Sequence, residues 1–379
     1  MPVYKNDETG KWDFKVNYKE NGKYKQKMRR GFRTQKEAKA AMSEMENDLN
    51  KGTFIEQSKT LYKDFMESFL NDKKMHVKRG TMTTYSSMIN NHILPALGHL
   101  AISSITPRHI QDFYNDLHSN GKLSDENIQK CHTIINESMK KAASWEMISK
   151  NPVSLVERPK ARKKEMQVWT LEQAHAFLEA SKDDMYYIVF LLALTTGMRK
   201  GEILGLRWKD VDFDKRTISI TQIMSSDGKD FQVGAKTISG SRLIRVDSET
   251  MEALRLHKIR TNEKKMSNKL VYTDLGLVVS TSLGTPVSPR NISRTFDRII
   301  ANSKLKKIRF HDLRHSHVTF LIKNRETPQV IAERMGWSDT RMIDNYAHIL
   351  PDIQEDTADL FGKSFYNKPD TNFDTKVGS

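Results

Sequence analysis

Apolar and polar residues alternate strictly through WDFKVNYK, with Trp12, Phe14, Val16 and Tyr18 on one face and Asp13, Lys15, Asn17 and Lys19 on the other. A period of two predicts a half-buried strand. Asn21-Gly22 follows, a pair favoured by two-residue hairpin turns of the I′ kind. The returning strand KYKQKMRRGF sets Lys23, Lys25, Lys27 and Arg29 on a single face. The period then lengthens. Thr34 and Glu37 have the spacing of a capping box, and Ala38, Ala41, Met42, Met45 and Leu49 recur at helical spacing until Gly52. The pattern predicts a small α+β unit over residues 1–55: a three-stranded sheet with one apolar face covered by a helix and the other face rich in lysine.

Residues 58–155 carry the helical period. Helix starts are marked by Thr81, by Thr106-Pro107, and by Ser124 followed by two acids. Ile110, Phe113, Tyr114 and Leu117 form one stripe; Ile128, Ile135, Met139 and Ala142 form another. An all-α bundle is expected, ended by Asn151-Pro152. The stretch ERPKARKKE, Glu157 to Glu165, holds five basic residues and almost nothing apolar, so residues 156–166 read as a linker. It is either a solvated tether or a segment lying along a phosphate backbone.

From Gln167 the pattern is mixed. Thr170 and Gln173 open a helix, and YYIVFLLALTTGM from Tyr186 predicts a helix buried on all sides, too short to span a bilayer. TISITQIM from Thr217 and SRLIRVD from Ser241 read as strands flanking a hairpin, and helices return from Pro289 to Leu350. A mainly α domain with a small β-sheet is expected over residues 167–365, with a tail at 366–379.

Charge changes this picture. The 379 residues hold 62 Lys and Arg against 47 Asp and Glu, a net charge of +15. Such an excess points to a polyanionic partner, nucleic acid first and an anionic membrane second. Residues 11–36 alone carry ten basic and two acidic side chains, which suits a β-ribbon in a DNA groove. Lys15, Lys19, Lys23, Lys25, Lys27 and Arg29 are therefore candidate DNA contacts. The polar N-terminus has no signal-peptide pattern, and a single cysteine, Cys131, excludes an internal disulfide. A cytoplasmic protein is expected.

Four stretches could carry chemistry. In HDLRHSHVTFLI, His311 and Arg314 share a helix side with Phe310, Val318, Leu321 and Ile322 around them, while Asp312 faces elsewhere. A guanidinium among apolar neighbours needs either a distant carboxylate or a bound anion such as phosphate, whose oxygens its flat fork fits. His311 and His315 also have metal-ligand spacing, but no HExxH glutamate or nearby cysteine accompanies them, and no metal is expected. In TTGMRKGEILGLRW, Glu202 is spaced to hold Arg199, or to form an ordinary surface pair with it. In GAKTISGSRLIRV, Lys236 falls in the turn between two strands. In MGWSDTRMIDNYAHIL, Met342, Tyr346 and Ile349 have the spacing of a core stripe, which by itself makes Tyr346 a packing residue.

The order of these pieces resembles the tyrosine recombinase family, that of the phage-type integrases. The matching stretches are TTGMRKGEILGLRW, AKTISGSR, HDLRHSHVTF and MGWSDTRMIDNYAHI, and they span about Gln167 to Leu350. The resemblance implies that Tyr346 is a nucleophile attacking a DNA phosphodiester to give a 3′-phosphotyrosyl link, presented toward DNA rather than buried. It implies that Arg199 and Arg314 clamp the phosphate, that Lys236 protonates the leaving 5′-oxygen, and that His311 transfers protons or binds phosphate. Glu202 would orient a catalytic group. Many relatives have histidine where this chain has Trp337, which can donate one hydrogen bond but cannot transfer protons. The layout also resembles the family's accessory parts. Residues 1–55 would bind arm-type sites on double-stranded DNA, residues 58–155 core-type sites, and residues 167–365 would be catalytic. The resemblance further implies a homotetramer on DNA, no cofactor, no membrane, and partners such as an excisionase and a DNA-bending host protein. The element would be a temperate phage or an integrative conjugative element. Leu360, Phe361 and Phe365 would pack on a neighbouring protomer or on their own domain. A type IB topoisomerase or a non-catalytic DNA-binding regulator are the alternatives.

Overall fold

The computed structural model describes residues 3–20, 23–50, 58–77, 79–121, 123–161, 166–233 and 242–366, and the chain divides into two compact units, residues 1–163 and 164–379. At the N-terminus, β1 (Val3–Lys5), β2 (Trp12–Glu20) and β3 (Lys23–Phe32) form an antiparallel sheet in that order, followed by α1 (Gln35–Asn50). The capping box forms: Thr34 Oγ1 accepts from the Glu37 amide (3.2 Å), and Glu37 Oε2 accepts from that of Thr34 (3.3 Å). Phe14, Val16, Ala38 and Met45 make the buried core between sheet and helix.

The register corrects the expected basic face. Val16 pairs with Lys27, Tyr18 with Lys25 and Phe14 with Arg29, whereas Lys15 pairs with Met28 and Lys19 with Tyr24. Directly opposed residues of an antiparallel pair share a face. Even positions of β2 therefore go with odd positions of β3, so Lys25, Lys27 and Arg29 lie on the helix side and Lys15 on the open side. Parity within each strand cannot reveal this; only the pairing of Glu20 with Lys23 sets it. The side chains of Lys19 and Lys23, the turn Asn21-Gly22, and Gly52 lie outside the described residues.

The helical part comprises α2 (Tyr62–Lys74), α3 (Arg79–Met88), a π-helical turn Ile89–Ile93 leading into α4 (Leu94–Leu97), α5 (Pro107–Ser119) and α6 (Asp125–Ser144). α3 begins two residues before Thr81. Thr106 caps α5, with the His109 side chain closing the box, whereas Ser124 precedes α6 without a side-chain cap bond. Ile110, Phe113, Tyr114, Ile128, Ile135 and Met139 are buried together, as the stripes predict. A short 3₁₀ turn, Pro152–Leu155, sends Val153 into the same core, so the bundle continues past Asn151. The start of the basic stretch is held to the bundle, Gln129 Nε2 donating to the Pro159 carbonyl (2.7 Å).

In the second unit, Thr170 and Gln173 cap α7 (Leu171–Ala180), and α8 (Tyr187–Thr196) is buried nearly all round. Next come α9 (Lys200–Gly205), β4 (Val211–Asp212), β5 (Thr217–Ser219), β6 (Gln222–Met224), β7 (Phe231–Val233) and β8 (Leu243–Arg245). TISITQIM is not one strand. β5 joins a sheet of order β4-β5-β8, and β6 pairs separately with β7. The break lets β6 run against α9, where a side chain on Gly201 would come within 2.6 Å of the Met224 carbonyl oxygen and one on Gly205 within 2.9 Å of that of Gln222. A long helix not anticipated from the pattern, α10 (Ser248–Ser267), is capped by Asp247 accepting from the Thr250 amide (2.8 Å). Then follow α11 (Pro289–Ser303), α12 (Asp312–Lys323), α13 (Pro328–Met335), a 3₁₀ segment Thr340–Ile349, and α14 (Leu350–Tyr366). Rings of Trp169, Phe177, Phe190, Phe296 and Phe310 pack at the centre of this unit's core. No helix among the described residues is long and apolar enough to cross a membrane.

Candidate active site

Three turns of the second unit meet. The first follows α8, where Gly197 adopts a left-handed conformation at φ 67°. A side chain there would also lie 2.6 Å from Met335 Cε and 2.7 Å from His317 Cδ2, so the position requires glycine twice over. Two residues on, Arg199 caps α9. Its backbone amide donates to Glu202 Oε2 and its Nη1 to Glu202 Oε1, both at 2.8 Å. This is no surface pair: Glu202 is 1% exposed. Arg242, not singled out from the sequence, grips the same carboxylate with Nη1 (3.1 Å) and Nη2 (2.9 Å), and its Nε donates to the Arg334 carbonyl (2.8 Å). Burial opposes the Glu202 charge, but Arg242 and then Arg199 prevail and bring its pKa down to about 2. The signal for Arg242 was available. Ile244 and Val246 are buried while Leu243 is exposed, so a period of two puts an arginine on the inward side.

Arg314 on α12 is 4% exposed. Its Nη1 donates to the Gly197 carbonyl (2.6 Å) and its Nη2 to that of Met335. The sequence left a carboxylate or an anion as its partner. Backbone carbonyls hold it instead, and Asp312, as expected, faces elsewhere and binds Arg309. Burial, with the Arg199 charge next, pulls the Arg314 pKa to about 9 against the counter-pull of Glu202. Two guanidiniums thus sit close enough to repel, one fixed by carbonyls and the other, Arg199, with its side chain 41% exposed. Such a pair of cations favours an anion between them.

His311 precedes α12 and is solvent-exposed on one side, its ring edge-on to that of His315 (centroids 5.0 Å, 85°). Partial burial, then the neighbouring His315, Arg314 and Arg199, lower its pKa to about 4, so it is neutral at pH 7. Trp337 follows the left-handed Gly336 after α13. Its ring lies 6.0 Å from Arg314 Cζ and 6.3 Å from the Tyr346 ring.

Tyr346 is 2% exposed, and its hydroxyl shares a 2.6 Å hydrogen bond with His315 Nδ1. The expected outward presentation toward DNA is therefore not the arrangement found. Nor is the expected stripe, since Met342 is 46% exposed. The segment is 3₁₀ rather than α, and a period of three aligns Tyr346 with Ile343 against Val318, Ile322, Ile331 and Met335. Burial raises the phenol's pKa, and Arg314 partly offsets this. Lys236 lies in the stretch 234–241, outside the described residues. Phe361 and Phe365 stack on each other at 5.5 Å and, with Leu360, are exposed rather than packed on their own unit. No group of three or more His, Cys, Asp or Glu side chains among the described residues is arranged to hold a metal.

Known proteins share this layout. The profile of the phage integrase family matches residues 166–352, that of the phage integrase N-terminal SAM-like domain matches 61–118, and that of an arm DNA-binding domain matches 2–49. A XerC-like tyrosine recombinase of Caldanaerobacter subterraneus subsp. tengcongensis is 28% identical over 354 residues, 88% of this chain and 90% of that protein. The ICEBs1 integrase of Bacillus subtilis is 29% identical over 282 residues, 72% of this chain and 74% of that protein. Among solved structures, the Tn1549 transposon integrase in complex with transposon right end DNA superimposes with a TM-score of 0.65 at 20% identity, covering 76% of this chain and 95% of that one. A lambda integrase dimer bound to a COC′ core site gives 0.60 at 16% identity, covering 91% and 93%. The chain belongs to the phage integrase family, the tyrosine recombinases, and is an enzyme that cleaves and rejoins DNA in site-specific recombination.

Proposed function

We propose that this integrase moves a phage or conjugative element into and out of a chromosome by joining Tyr346 to a DNA 3′-phosphate. The reading rests on one arrangement: Arg314 is tied to the carbonyl of Gly197, two residues before Arg199, and to that of Met335, two residues before Trp337, with the Tyr346 ring beside Trp337. The scissile phosphate sits between the two guanidiniums, which oppose the charge that develops in the pentacoordinate transition state. Neutral His311 donates a ring N–H to a phosphate oxygen, and the Trp337 ring wedges Tyr346 beside the clamp. Glu202 and Arg242 fix Arg199. Lys236 protonates the leaving 5′-oxygen. One phosphodiester is exchanged for another of similar energy, so covalent catalysis conserves the bond without ATP or a cofactor.

Residues 1–55, 58–155 and 167–365 serve arm-type binding, core-type binding and catalysis. Because β3 is an edge strand, a ribbon entering a groove edge-on reaches phosphates with Lys15 from one face and Lys25, Lys27 and Arg29 from the other, and Lys19 and Lys23 complete the proposed DNA contacts. Four protomers act on paired duplexes, with the exposed rings of α14 docking on a neighbour, and an excisionase and a DNA-bending host protein set direction. Attack requires that binding of DNA uncover the Tyr346 oxygen.

The test is a nicked duplex carrying the core site, taken from DNA flanking the gene and incubated without added metal. A covalent adduct is expected, lost in Tyr346→Phe. DNA binding without adduct in the unmodified chain would leave a regulator, and relaxation without exchange between two sites would leave a topoisomerase.

A further inference from the structure

We propose that His315 is a catalytic residue, the base that takes the phenol's proton as Tyr346 attacks phosphorus. This rests on Tyr346 being the nucleophile. The family resemblance gives His311 either proton transfer with the tyrosine or phosphate binding, yet among the described residues the hydrogen-bond partner of the Tyr346 oxygen is His315 Nδ1, at 2.6 Å. The two rings lie 5.7 Å apart, and the ring of the solvent-exposed His311 sits edge-on to that of His315.

A buried Tyr–His contact alone is not a site. Tyr114 and His132 make one at 3.1 Å inside the helical bundle, where it serves packing. What distinguishes His315 is its place directly after Arg314, against the tyrosine that Trp337 packs beside the clamp. Among the described residues, the groups facing it are Asp312 and Arg314 from α12, Arg309 and His311 just before it, and Tyr346 from the 3₁₀ segment. Burial lowers the His315 pKa; Asp312 raises it, and Arg309 and Arg314 lower it further. The ring is therefore neutral at pH 7 and can accept a proton. The phenol needs such a partner, because burial disfavours its spontaneous ionisation.

The step balances. The phenol O–H bond breaks and its proton moves to Nδ1 while the oxygen's pair forms the O–P bond. The P–O5′ bond breaks, and the departing oxygen keeps that pair and takes a proton from the general acid. The diester keeps its single negative charge. Rejoining runs the steps backwards, with the imidazolium returning its proton to the phenol oxygen.

The experiment is single-turnover cleavage of the nicked core-site duplex by the full chain, comparing an ordinary substrate with one whose bridging 5′-oxygen is sulfur. A thiolate leaves without a general acid, so sulfur rescues defects on the leaving-group side only. His315→Ala and His315→Asn are expected to bind DNA normally and to cleave about 10²–10⁴-fold more slowly, with no rescue by sulfur. The wild-type rate should fall tenfold per pH unit once His315 is protonated, and both variants should lose that limb. His315→Asn keeps the volume and an acceptor oxygen but not the basicity; a wild-type rate in that variant overturns the proposal in favour of mere positioning. Cleavage by His315→Ala at or above the wild-type rate overturns it in favour of a resting latch. Rescue by sulfur overturns it in favour of leaving-group chemistry. An adduct that survives Tyr346→Phe removes the nucleophile, and this role with it. Loss of adduct in Tyr346→Phe with undiminished His315 variants removes only the role of His315.

Discussion

Arg314 combines features that rarely coincide: it is buried, charged, and, among the described residues, bonded only to carbonyl oxygens. Two neutral acceptors orient a guanidinium without neutralising it, so the charge remains available to a phosphate. Arg314→Ala should fold, as circular dichroism would report, and lose cleavage by about 10³-fold or more, equivalent to roughly 4 kcal/mol of barrier. Arg314→Lys keeps the charge but lacks the fork that spans both carbonyls, so cleavage should recover only slightly. Wild-type cleavage in either variant would remove Arg314 from the clamp. Glu202 works the other way. As the carboxylate shared by Arg199 and Arg242, it neutralises part of the cluster and leaves Arg314 as the charge with no carboxylate bonded to it among the described residues.

The turn after α8 does for the site what no side chain could. It admits the Met335 and His317 side chains to within contact of the backbone and offers the Gly197 carbonyl to Arg314. Gly197→Ala meets a disfavoured φ and an occupied space together, so a loss of about 2 kcal/mol or more is expected in denaturant unfolding, with a fall in cleavage. Elements governed by local chemistry were legible in the sequence. The boxes at Thr34 and Thr170 and the buried run of α8 needed only neighbours within a few residues. What depends on distant partners was not. The face taken by Lys25 and Lys27 is set by pairing across the hairpin, and the split of TISITQIM by the glycines of α9. The inward turn of Tyr346 is set by a 3₁₀ winding against α12 and α13. The motif stretches of the candidate site stand out in the sequence and Arg242 is open to a reading of its strand's alternation, whereas His315 acquires its meaning only from what it touches.

For the molecule as a whole, acid is the adverse direction. His317 donates to the Leu194 carbonyl and accepts from Arg334 Nε, so it must be neutral; burial, with Arg334 next, lowers its pKa to about 3 from 6.5. A depressed folded pKa means the unfolded chain binds the proton first, so stability present above pH 6.5 is lost as pH falls toward 3. At pH 5 this one residue costs about 2 kcal/mol, or roughly 5 °C in Tm by calorimetry; a flat Tm between pH 7 and 5 would contradict it. At the other end of the chain, Lys25→Ala with Lys27→Ala should weaken arm-type binding, reduce the slope of log K against log salt by about 2, and leave core cleavage unchanged. An unaltered slope would take the edge strand off the DNA. The exposed rings at the end of α14 carry a last consequence. If these rings dock on a neighbouring protomer as proposed, copies adrift in a cell meet too rarely to cover them, whereas copies tethered to one stretch of duplex face each other at an effective concentration on the order of millimolar. On that proposal, crowding at the target rather than abundance decides when the enzyme becomes an assembly.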